Sequence, residues 1–387
     1  MTEEKKSASP KSAEKSSTRK RTTGSRSAAG SRANGSRVAG RRRAARKRVP
    51  RKGALRSWIL WIVILLVCGA AAALWHFGPV LGGYKGEKSA WVYVSQGATQ
   101  KQIADSLRAS LGDEFGSEVA KCLQGSVAKS RGAYQVKPGE RAFKVARRIL
   151  QGRQTPIRLT FNNIRTVDDL DARLSGVMGW KEGEFGKAFA AMADSLQVAP
   201  QMLAGRMMPD TYEVYWTASP RSVIEKVLKN YERFWTDERK SQAQALGLSP
   251  DEVGIVASIA EEESARADER GKIARLYINR LRKGMRLQAD PTVKFAVGDF
   301  SIRRVGGDML GIDSPYNTYR RAGLPPAPIR IPDKATLEAV LTAPAHDYIY
   351  MCASADFSGR HIFTASYAEH QRNAVAYRAA LNARGIK

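Results

Sequence analysis

Three consecutive glutamates, Glu261, Glu262 and Glu263, close an otherwise apolar run, VGIVASIA over 253–260. A carboxyl can protonate a leaving oxygen if its pKa lies near neutral. At about 100° per residue, Val253, Ile255, Val256, Ala257, Ile259 and Ala260 cover one broad arc of a helix. Glu263 falls inside that arc, between Val256 and Ile259. Glu261 and Glu262 fall towards its two edges, with Glu262 the more exposed. Desolvation disfavours a charged carboxylate, so Glu263 is expected to titrate high. The plainer alternative is a core helix with a frayed acidic end, its glutamates solvated or paired with Arg266 and Arg270.

The elements that would position these groups are legible. Ser249 can cap, Pro250 suits the first helical position, and Glu252 completes a capping box. ADER (267–270) restarts a second helix, GKIARLYINRLRKG (271–284). Its buried side carries Ile273, Leu276, Tyr277, Ile278 and Leu281, and Gly284 ends it. MRLQADPTV (285–293) then reads as a turn into an extended segment, with Gln288 and Asp290 on it. SPYNTYRRAGLPPAPI (314–329) reads as a polar-aromatic loop rich in hydrogen-bonding groups.

The rest of the chain is unevenly charged. Residues 1–56 hold 19 Lys/Arg against three Glu, so +16 of the formal +27 lies there. That segment has almost no large apolar residues and reads as a disordered basic tail. A nucleic-acid-binding tail is the alternative, but the next stretch explains the charge better. SWILWIVILLVCGAAAALWHFGPV (57–80) carries no formal charge and reads as a single transmembrane helix, for which about 20 apolar residues suffice. Trp58, Trp61 and Trp75 suit the interfaces. Basic residues only before it would keep the N-terminus cytoplasmic and export the body. The tail would then serve as a topology signal and attract anionic lipid. No nucleic-acid partner is expected.

Residues 88–155 read as a small α/β module: strand 91–96, helices 99–111 and 115–124, strand 132–136 and helix 140–152. IRLTF (157–161) is a strand, and 165–248 is mainly helical with an aromatic loop at PDTYEVYW (209–216). Residues 348–354 and 361–366 predict a β-hairpin, followed by a final helix over 368–384. The fold class is therefore α+β: a transmembrane helix, a small α/β module, and a mainly helical body over 156–387 with a hairpin. Cys68, Cys122 and Cys352 are far apart and suggest neither a metal site nor a disulfide framework. His361 and His370 read as structural supports. No cofactor is implied.

The motifs ASIAEEES (257–264), Glu269-Arg270, INRLRKGMRLQADPTV (278–293) and YNTY with GLPP (316–326) occur here in order. In this the chain resembles the membrane-anchored endolytic murein (peptidoglycan) transglycosylases of the MltG/YceG type. The resemblance spans roughly 90–380. It implies a LysM-like glycan-binding module over 88–155, with a spacer or docking domain as the alternative. It also implies a lysozyme-like catalytic domain over 156–387. Two departures bear on loop shape: Ala327 stands where the family has Gly after Leu-Pro-Pro, and 299–314 is a differently composed insertion.

The implied enzyme is a lytic transglycosylase, a carbon–oxygen lyase acting on polysaccharides. Glu263 would cleave between N-acetylmuramic acid and N-acetylglucosamine in nascent strands and leave 1,6-anhydro ends, in cell wall assembly and glycan-length control. Glu263-Ser264 matches the Glu-Ser/Thr pair at the family's acid. Gln288, Tyr316, Asn317 and Tyr319 would orient the sugar, Asp290 would fix the loop, and Glu261 would support the site. The implied partners are glycan strands, the membrane and cell-wall synthesis enzymes. The implied localisation is the cell (inner) membrane, single-pass, with the N-terminus cytoplasmic and the catalytic domain periplasmic or extracytoplasmic. The alternative functions are a non-catalytic cell-wall glycan-binding or scaffold protein of the same fold, and a membrane-anchored nucleic-acid binder using the tail.

Overall fold

The computed structural model describes residues 52–302 and 304–385, without the side chains of 52–56 and 74–81. The expected disordered tail lies, through residue 51, outside the described residues. Among them the chain is α+β, with fourteen α-helices and three two-stranded antiparallel sheets.

The first helix, α1 (Lys52–Leu81), corrects the sequence reading. Among the described residues no helix is long and apolar enough to cross a membrane. This overturns the expected transmembrane helix and the single-pass inner-membrane localisation. The chain divides at Val67/Cys68, and everything that follows belongs to the second unit.

That unit begins with β1 (Ala90–Val94), α2 (Gln100–Leu111), α3 (Asp113–Lys121), β2 (Gly132–Val136) and α4 (Ala142–Leu150), all five elements read from the periodicity. Thr99 and Gln102 form the capping box that starts α2. Ile103, Leu107 and Leu111, four apart, fall on one face and are buried. They pack with Val92, Tyr134 and Ile149 into a core of their own.

Next comes β3 (Ile157–Phe161), then α5 (Val167–Met178), α6 (Glu184–Ser195), α7 (Pro200–Gly205), β4 (Asp210–Val214) and α8 (Pro220–Phe234). Here 209–216 is not the expected loop: β4 pairs with β3, Leu159 opposite Tyr212. Tyr212 and Val214 turn inward while Glu213 stays outside, the alternation of a half-buried strand.

The remaining helices are α9 (Asp237–Leu246), α10 (Pro250–Glu263), α11 (Ala267–Arg282), α12 (Asp290–Val297), α13 (Lys334–Leu341) and α14 (Tyr367–Ala383). β5 (Tyr350–Ala353) and β6 (His361–Thr364) make the expected hairpin before α14. The segment after Gln288 is helical, not extended. Pro291 sits in its first turn and Gly298 closes it in the left-handed conformation, φ 80°.

α10 is the central element. The predicted capping box forms, and every residue from Val253 to Glu261 is buried. α11 and α13 pack on it, as do α7, α9 and α12. α11 and α13 approach closely at Gly271, where a Cβ would meet the Ala339 carbonyl oxygen at 2.8 Å.

Candidate active site

α10 ends at Glu263, and its side chain reaches a cavity of about 360 Å³ between α11, the 287–290 segment, the β5–β6 hairpin and α14. Glu263 Oε1 accepts a hydrogen bond from Tyr277 Oη at 2.5 Å. Tyr277 is fully buried on α11, so its hydroxyl is fixed by packing. Among the described residues no ion pair reaches Glu263. Burial pushes its pKa up to about 7, against the Tyr277 hydrogen bond, which lowers it, and with a small upward contribution from Asp290. Lys294 and Arg280 act downward.

The other two glutamates are built differently. Glu261, expected near the arc's edge, is buried. Its Oε1 lies 3.0 Å from Arg330 and its Oε2 accepts from the Asp333 backbone N–H at 2.9 Å. Glu262, expected to be exposed, is mostly covered. It pairs with Arg165 at 2.9 Å and Arg330 at 2.8 Å. The periodic argument erred at both because α10's edges are covered by segments remote in sequence.

Of the downstream donors, Gln288, Asp290 and Tyr319 line the cavity together with Glu263. Asp290 Oδ1 accepts from Tyr319 Oη at 2.5 Å, and the Tyr319 hydroxyl is pushed up by burial and by that bond. Gln288 holds a left-handed backbone, φ 51°, which a non-glycine residue adopts at a cost of about 1 kcal/mol. Its N–H donates to the Thr318 carbonyl at 3.2 Å, and the next N–H, Ala289, donates to Thr318 Oγ1 at 3.0 Å.

Tyr316 and Asn317 do not join them. Tyr316 packs on Phe295, centroids 4.7 Å apart. Asn317 is fully buried and donates to the Leu310 and Ile312 carbonyls at 3.0 and 2.8 Å. Its Oδ1 accepts from the Tyr319 N–H at 3.0 Å. Asn317 thus shapes the loop that carries Tyr319, tying the 310–312 stretch to it. Glu261 also lies away from the cavity.

Several lining residues were not singled out from the sequence. Tyr277 was read only as core. Arg280, one turn on from Tyr277, is buried and donates to the Leu287 and Ile349 carbonyls, each at 2.6 Å. It ties the 287–288 segment to the hairpin. The i,i+3 spacing of Tyr277 and Arg280 was the available signal. His361 and His370, read as supports, both line the cavity. His370 stacks on Tyr350, centroids 5.3 Å apart, and burial lowers its pKa, with Arg280 adding to that. The arrangement offers a carboxyl poised to give and take a proton, beside the Tyr277 and Tyr319 hydroxyls and the Gln288 amide.

The profile of the YceG-like family matches residues 92–376. A curated relative from Bacillus subtilis (strain 168), named endolytic murein transglycosylase, is 35% identical over 170 residues, 44% of this chain and 46% of that protein. A Streptococcus pneumoniae (strain D39) protein of the same name is 27% identical over 197 residues, 48% of this chain and 35% of that protein. The chain thus spans about half the length of these relatives, or less. A crystal structure of a yceG-like protein from Listeria monocytogenes shares the fold, with a TM-score of 0.51 and 24% identity over 74% of this chain and 99% of that one. With its profile matched from the first strand to the last helix, the chain belongs to the YceG-like family.

Proposed function

We propose that this protein is an endolytic peptidoglycan lytic transglycosylase, with residues 156–387 as its catalytic domain, residues 88–155 as a LysM-like glycan-binding module, and Glu263 as its acid and base. One observation carries the reading: a carboxyl brought to about 7 in a cavity, held on one oxygen by Tyr277 and free of any ion pair among the described residues. Ordinary glycosidases use two carboxylates, one as acid and one as nucleophile or base. An intramolecular reaction needs one. Protonated Glu263 gives its proton to the oxygen linking N-acetylmuramic acid to N-acetylglucosamine, and the C1–O bond breaks. The muramic C6 hydroxyl attacks C1 and passes its proton to the same carboxylate. A 1,6-anhydro end forms, no water is consumed, and Glu263 is protonated again.

The neighbours fit that course. Tyr277 occupies Oε1 and leaves Oε2 to the substrate. Gln288 and Tyr319 orient the sugar, and Asp290 holds the Tyr319 hydroxyl. The substrates are nascent glycan strands, cleaved in cell wall assembly to set strand length alongside cell-wall synthesis enzymes. The test is mass spectrometry of purified glycan strands after incubation with the protein. Release of 1,6-anhydromuramyl ends is expected. Strand binding without any such product would leave a glycan-binding protein of the same fold.

A further inference from the structure

On the hairpin side of the cavity stands a second built group. Glu269, on the first turn of α11, is buried. Its Oε1 accepts from the His361 backbone N–H at 3.1 Å, and its Oε2 lies 3.1 Å from His361 Nδ1. Ser264, the residue after Glu263, places its Oγ 3.5 Å from the same Oε2. One buried carboxylate therefore fixes both His361 and the chain just beyond Glu263. Where the Glu269 carboxylate accepts from Nδ1, the neutral tautomer of the ring keeps its lone pair on Nε2. The His361 side chain is largely covered and lines the cavity. Among the described residues no protein group bonds to Nε2.

We propose that His361, oriented by Glu269, is a substrate-positioning residue whose Nε2 accepts a hydrogen bond from a hydroxyl or acetamido N–H of the saccharide held against Glu263. The proposal rests on the glycan reading of the cavity. It assigns Glu263 the proton chemistry and His361 the placement of the ring on which that chemistry acts. Glu269 acts through His361 and touches no substrate.

The test compares His361→Leu, which removes the acceptor, with His361→Gln, which returns one near the position of Nε2. With the full chain and purified glycan strands, His361→Leu is expected to lose roughly 10-fold in kcat/KM, the scale of one buried hydrogen bond, beside a modest fall in melting temperature as buried Glu269 loses its Nδ1–H donor. His361→Gln is expected to recover most of that loss. Full activity in His361→Leu would overturn the proposal. So would a parallel fall of activity and melting temperature in both variants, which marks a purely structural histidine. A binding pair separates this proposal from the reading beneath it. Calorimetry with a muropeptide tetrasaccharide on Glu263→Gln, and on Glu263→Gln with His361→Leu, needs no turnover. If the wild type releases no anhydro product, the transglycosylase reading fails. A several-fold weaker affinity in the double variant still supports His361 as a ligand contact, and equal affinities reject it.

Discussion

The Tyr277 hydroxyl lies 2.5 Å from Glu263 Oε1, from the middle of one helix to the last residue of the preceding one. The two residues are 14 positions apart. α10 and α11 pack directly on each other, so helix packing rather than a loop sets this distance. A donor on a rigid helix holds the carboxyl without neutralising its ability to carry a proton.

Tyr277→Phe removes a hydrogen bond that favours the ionised carboxylate. Glu263 then moves further up from about 7. The limb of the rate–pH profile that requires protonated Glu263 is expected to shift to higher pH, and the rate at its maximum to fall as the carboxyl loses its anchor. Unfolding stability should drop by about 1 kcal/mol. A profile identical to the wild type's would contradict this pairing.

Glu263→Gln keeps the shape of the side chain but carries no transferable proton. It is expected to fold, to bind glycan strands, and to lose at least about 10²-fold in the release of anhydromuramyl products. Near-normal activity would move the acid to another group.

The same residue sets a pH dependence of stability. Its folded pKa, about 7, lies above the 4.5 of an unperturbed glutamate. Its contribution is therefore fully present below about 4.5 and is lost as pH rises through 7, by roughly 3 kcal/mol in total. Glu263→Gln does not titrate. Its stability relative to the wild type should therefore be greater at pH 8 than at pH 4.5. Urea unfolding at the two pH values measures this, and an unchanged difference would mean that burial does not raise the carboxyl.

Glu262→Gln tests the ion pairs beside the site. Glu262 bridges Arg165 and Arg330, and Arg330 is buried between Glu262 and Glu261. Removing one carboxylate leaves a covered guanidinium short of charge, so a loss of about 2 kcal/mol is expected in urea unfolding. Activity per folded molecule should stay near normal, since Glu262 is outside the cavity lining.

Gln288→Gly separates strain from function. Glycine accepts φ 51° without cost, so stability should hold or rise by about 1 kcal/mol. The cavity loses a hydrogen-bonding side chain, and turnover should fall. A loss of stability would mean that the side chain, rather than the backbone, secures this turn.

What the sequence determined by itself was set by near neighbours in the chain. The cap at Ser249 and the apolar arc of α10 follow from 3.6-residue periodicity. So do the elements of 90–150 and the hairpin after Tyr348, whose patterns lie within short windows. The tertiary structure decided what covers the edges of those elements. Arg165 reaches Glu262 from 97 positions away and Arg330 from 68, so a helical wheel could not see that either edge of α10 was covered. Asn317 and Tyr319 look alike as hydrogen-bonding residues of one loop. The fold turns one into the loop's internal brace and the other into cavity wall. β4 became a strand only because β3, some fifty residues earlier, was there to pair with it. His361 met Glu269 across 92 positions. Periodicity fixes the direction of a side chain relative to its own axis. Its partner depends on how the chain closes on itself, which no local pattern records.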